Sequence, residues 1–259
     1  MSNIELFYIN CTYQEKRKIL IANKTIDLIK SQSYPARLCI FNNLCKRQLK
    51  QSLKTATHNK KSFTNTAIIF IHGHGGFNFD DQKEIFMTEE GEYIYLDDIA
   101  VYFGSYENVV IILDACQQSK YTSDQYHHNI NILKTNIILC CAVPKCHDAY
   151  GSKKGMLFTK SVCSTLQINI KPTETIKLET LMEYIYSAYK EYSTKYGIIP
   201  KIYTNDYGMN DLLAMFKNVT HQNMFLLRDR NYQATHKYDD IYAKKLKSRI
   251  YDVEYNDKN

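Results

Sequence analysis

Five aliphatic residues in a row, Val109 to Leu113, run straight into Asp114-Ala115-Cys116-Gln117-Gln118-Ser119. An unbroken apolar run of this length, closed by small and polar residues, predicts a central strand buried on both faces. Ala67-Ile68-Ile69-Phe70-Ile71 has the same design and leads into His72-Gly73-His74-Gly75-Gly76. Ile4 to Ile9, Arg37 to Phe41, Asn136 to Val143 (stopped by Pro144) and Pro200 to Thr204 read as further strands. Helical spacing separates them. Gln14 to Lys30 carries Ile19, Ala22, Ile26 and Ile29 three and four apart, and Leu44 to Ala56 carries Leu49 and Leu53. Gly155 to Leu166 reads as a helix, and Ile176 to Tyr196 as a longer one with Leu178, Leu181, Met182, Ile185 and Ala188 along one stripe. Gly197 ends it, as glycine commonly does.

Two shorter features interrupt the alternation. Glu84 to Met87 and Glu92 to Leu96 flank Thr88-Glu89-Glu90-Gly91, which predicts a hairpin. Asp97-Asp98 is expected to cap a short helix through Phe103, because carboxylates accept the orphan amides of a helix start. Strands alternating with helices predict an α/β fold, a mainly parallel six-stranded sheet with helices on both faces. The main domain is expected to span 1–205. From Asn205 the character changes, and 206–259 reads as a helical extension, with Met209, Leu212, Leu213, Met215 and Phe216 as an apolar cluster.

Composition narrows the classes. With 44% hydrophobic and 23% charged residues the chain is an ordinary globular protein with a real core. A formal charge of +6 is spread along the chain rather than gathered in one patch, so a nucleic-acid partner is not expected. No apolar run approaches a membrane span, and Met1 to Asn10 has no basic segment followed by an apolar one. Eight cysteines then read as free thiols in a reducing compartment, which gives a cytoplasmic or nuclear expectation.

The chemistry gathers at two strand ends. Open α/β sheets place their sites beyond the carboxyl ends of the strands. If the two long aliphatic strands are parallel neighbours, a histidine and a cysteine meet at one sheet edge, the makings of an activated thiol nucleophile. Gly73-His74-Gly75 after one strand, and Asp114-Ala115-Cys116-Gln117-Gln118 ending the next long one, resemble the caspase and metacaspase superfamily of cysteine peptidases. The order of Ile137 to Val143, Pro144, a polar loop, Gly155-Met156-Leu157-Phe158-Thr159 and a helix is similar to that family's small-subunit region. The likeness in order and type covers roughly Ile4 to Thr204, with the sharp motifs in two short stretches.

The resemblance implies a caspase-like fold and roles for particular residues. His74 would be the general base and acid, Cys116 the nucleophile, and the amides of Gly75 and Cys116 the oxyanion hole. His72 also precedes a glycine, but it falls at the small position of the metacaspase pattern, so His74 is preferred. Asp114, two before the cysteine, would line the pocket for the residue preceding the cut bond, with Ala142 and Tyr150 beside it. Caspases carry glutamine at the first of these positions and an arginine at the last, and receive aspartate. Asp114 and Tyr150 instead lead us to expect cleavage after Arg or Lys, because a buried carboxylate needs a cationic partner.

The partners implied are protein or peptide substrates, with a homodimer through the last sheet strand as a further expectation. No cofactor is implied. Calcium, which activates many metacaspases, finds no Asp-x-Asp-x-Asp loop around Asp80-Asp81 or Asp97-Asp98. Cys140, Cys141, Cys146 and His147 match no zinc spacing, and adjacent strand residues point to opposite faces. His127-His128 reads as solvated loop. Gln118 and Ser119 stand where caspases and metacaspases, respectively, have a glycine. The alternative reading is therefore a pseudoprotease, a non-catalytic binding protein on the same fold.

Overall fold

In the computed structural model, the two aliphatic runs are adjacent central strands. The structure describes residues 4–11, 16–58, 66–78, 83–88, 90–115, 136–142, 149, 151–152, 154–172, 176–196 and 201–204. The main sheet is built from β1 (Ile4–Cys11), β2 (Arg37–Asn42), β3 (Thr66–Gly73), β7 (Asn108–Ala115), β8 (Asn136–Cys141) and β11 (Lys201–Thr204). Their spatial order is β11-β8-β7-β3-β1-β2. Five of the strands are parallel, and β11 runs antiparallel to β8 at one edge.

Alternate side chains of the central strands feed two cores. On one face Leu6, Tyr8, Ile68, Phe70, Val110, Ile112 and Cys140 pack under α1 (Lys16–Lys30), α4 (Leu157–Asn169) and α5 (Leu178–Tyr196). On the other, Phe7, Ile9, Ile69, Ile71, Ile111, Leu113 and Cys141 meet α2 (Lys46–His58) and α3 (Leu96–Ala100), which a 3-10 turn (Val101–Phe103) extends. Cys140 and Cys141 thus do point to opposite faces, each a buried thiol. Burying an aliphatic side chain contributes about 1.5–3 kcal/mol. A strand apolar on both faces does not fix its own register by alternation. The polar residues at its ends do: Asn108 pairs with Thr66 at one end, and Asp114 with His72 at the other.

Several boundaries differ from expectation. Asp97 and Asp98 are not the N-cap of α3: the helix begins at Leu96, and its N-cap is Tyr95, whose side chain makes no cap hydrogen bond. Both carboxylates lie inside the first turn, where they still favour the positive end of the helix dipole, and Asp98 pairs with Lys50 at 3.1 Å. The expected hairpin is three strands, β4 (Gly75–Asn78), β5 (Lys83–Met87) and β6 (Tyr93–Tyr95), all antiparallel. The polar stretch before α4 forms a small hairpin, β9 (Gly151–Ser152) with β10 (Gly155–Met156), so α4 starts at Leu157 rather than Gly155. The C-terminal extension, 206–259, lies outside the described residues. No helix among the described residues is long and apolar enough to cross a membrane.

Candidate active site

The carboxyl ends of β3 and β7 are level. Register pairs His72 with Asp114 and Gly73 with Ala115. Cys116 follows Ala115 in the sequence and lies outside the described residues, as does Tyr150.

His74 sits on a sharp exit from β3. Its amide donates to the Cys11 carbonyl at 2.9 Å, and its own carbonyl accepts the Met87 amide at 2.9 Å. Its backbone is thereby pinned between the end of β1 and the small antiparallel sheet, and its side chain is half-buried. Gly73 makes the turn possible. It has φ of +144°, and a Cβ there would lie 2.2 Å from the Cys11 carbonyl oxygen. No side chain fits against that backbone. Gly73→Ala is therefore expected to unseat the β3 end and lower the thermal midpoint by several degrees, which a melting curve checks. A variant melting like the native protein would contradict it.

Gly75 is the first residue of β4 and pairs with Phe86. Because the His74–Met87 pair beside it is hydrogen-bonded, ladder alternation makes Gly75–Phe86 a non-bonded pair. The Gly75 amide consequently points away from β5.

Asp114 is fully buried. Its Oδ2 accepts the Thr159 amide at 2.8 Å and the Thr159 hydroxyl at 3.0 Å. α4 has Met156 at its N-cap and no capping side chain of its own. Asp114 supplies that cap from β7, at the positive end of the helix dipole. Among the described residues, Oδ1 has no hydrogen-bond partner. Burial pushes the Asp114 carboxyl up to about 7, with the Thr159 amide and hydroxyl and the Phe158 amide pulling against it. Ala142 is buried in the core layer below α4 and α5, and its amide donates to the Leu113 carbonyl at 2.9 Å.

Further polar side chains lie at the same edge. Register aligns Asn10 with His72 and His72 with Asp114 across three strands. His72 is buried, and its Nδ1 lies 3.0 Å from the Tyr8 hydroxyl. Burial first, then the charge of Asp114, raises the Tyr8 hydroxyl far above its ordinary value, so it stays neutral.

The fold of the chain is similar to a crystal structure of caspase-1 from Spodoptera frugiperda, with a TM-score of 0.52 over 77% of this chain and 87% of that one. The chain has a caspase-like fold. Identity over the caspase-like match is 12%, so the likeness is one of architecture. No protein-family model matches the chain, and no curated protein sequence matches it.

Proposed function

We propose that the chain is a caspase-like cysteine endopeptidase that cuts after Arg or Lys. The observation that carries this reading is the level ending of β3 and β7. The two strands are hydrogen-bonded neighbours through Gly73 and Ala115, and the sequence continues them with His74 and Cys116. The His74 imidazole takes the thiol proton, and the Cys116 thiolate attacks the scissile carbonyl. Negative charge developing on the carbonyl oxygen is met by the amides of Gly75 and Cys116. The direction of the Gly75 amide, away from β5, supports that role. His74 then protonates the leaving amine, and water releases the acyl group by the reverse sequence.

Asp114 supports the substrate class. A fully buried carboxylate with one oxygen unpartnered among the described residues is costly to the fold, and an Arg or Lys side chain reaching it would supply a donor. Ala142 and Tyr150 complete the proposed subsite. An arginine-terminated peptidyl chloromethyl ketone tests the assignment. Mass spectrometry is expected to find a single adduct on Cys116, and no adduct there in His74→Ala under the same conditions. Equal labelling of other cysteines, or none of Cys116, would favour the non-catalytic reading.

A further inference from the structure

The Asp114 carboxylate has a resident basic neighbour as well as a proposed external one. His72 and Asp114 are register partners on adjacent parallel strands, which lie about 5 Å apart. Both side chains are on the α1, α4 and α5 face: Tyr8 of that core touches His72, and Thr159 of α4 touches Asp114. Among the described residues, register and hydrogen bonding give His72 three polar neighbours: Tyr8 and Asn10 from β1 and Asp114 from β7. Cys11 adds only a buried thiol, held protonated by burial, on the opposite face.

The Tyr8 hydroxyl suits either state of the ring. It donates to Nδ1 of a neutral imidazole and accepts from Nδ1–H of an imidazolium, turning only its hydrogen. A carbonyl or an amide in its place would fix one state.

We propose that His72 is a positioning residue that shares one proton with Asp114, so that a basic substrate side chain binds only as that proton leaves. This rests on the reading of Asp114 as the substrate carboxylate. While the proton is held, by the ring or by the carboxyl, the pair is neutral and an incoming guanidinium or ammonium finds no net charge to meet. Once it is lost to solvent the pair carries one negative charge, and the cation replaces the proton. An imidazole beside the carboxylate always makes the pair hold its proton to higher pH than the carboxyl alone would.

Two readouts on the full chain decide this. In proton NMR the His72 ring signal, identified by its loss in His72→Gln, is expected to titrate at least about one pH unit lower in Asp114→Asn, since the carboxylate that favours the imidazolium is gone. In kinetics, KM for an arginine-terminated peptide is expected to climb about tenfold per pH unit below the midpoint of the pair. His72→Gln displaces that climb to lower pH, and a glutamine-terminated peptide shows no such climb in either protein. Superimposed KM profiles for the two proteins, or a His72 midpoint unmoved by Asp114→Asn, overturn the proposal. If the native protein turns nothing over, it is the peptidase reading that fails, and the NMR titration still decides whether the proton is shared.

Discussion

Asp114→Asn is expected to make the protein more stable and much less able to cut after a basic residue. Burial disfavours the charged form of the native carboxyl and pushes it up to about 7 from an ordinary 3.8. Between those values the folded state holds a proton that the unfolded state has lost, so stability falls as pH rises. The cost of keeping Asp114 is absent below pH 3.8 and fully present above about 7, where it amounts to roughly 4 kcal/mol at most. Asparagine keeps an acceptor for Thr159 and removes the charge. Urea denaturation at pH 4 and pH 8 is expected to show little difference from the native protein at the first and a gain of a few kcal/mol at the second. A gain independent of pH would contradict the burial account. The same variant is expected to lose about 100-fold or more in kcat/KM on arginine-terminated peptides, the scale of a buried charge pair broken on one side, and far less on neutral ones. A residue that costs stability and sets specificity is what a functional site retains.

His74→Ala is expected to act on a different parameter. Removing a general base that also protonates the leaving group lowers kcat by about 1000-fold or more, with KM little changed. His74 reaches its position through backbone contacts, its amide to Cys11 and its carbonyl to Met87, so alanine preserves the turn. Stability is expected to stay within about 0.5 kcal/mol of native. A large loss of stability together with activity would mean that the imidazole serves the fold.

Much of this architecture was readable from period and composition. Val109 to Leu113 and Ala67 to Ile71 admit no water on either side, and such runs become the centre of a parallel sheet. Helical spacing in Gln14 to Lys30 and Ile176 to Tyr196 located α1 and α5 to within two residues of their ends. Gly75 to Asn78 was missed as a strand because Gly-Gly-Phe-Asn has almost no β preference, and only its pairing with β5 makes it one. The partners of Asp114 were out of reach for another reason. Thr159 is 45 residues away, and a remote side chain capping a helix leaves no local pattern. His72 read as a filler of a small position, and only its register with Asn10 and Asp114 gives it polar neighbours. Cys116 and Tyr150 were read from motif alone and lie outside the described residues.

The central claim is a Cys116–His74 dyad that hydrolyses peptide bonds after basic residues. The most direct measurement is kcat/KM for fluorogenic peptides ending in Arg, Lys, Gln or Asp, with Cys116→Ala and His74→Ala in parallel. Turnover of the Arg and Lys peptides by the native protein, abolished in Cys116→Ala and cut about 1000-fold in His74→Ala, is the result expected. Preference for the Asp peptide, or turnover that survives Cys116→Ala, would contradict it.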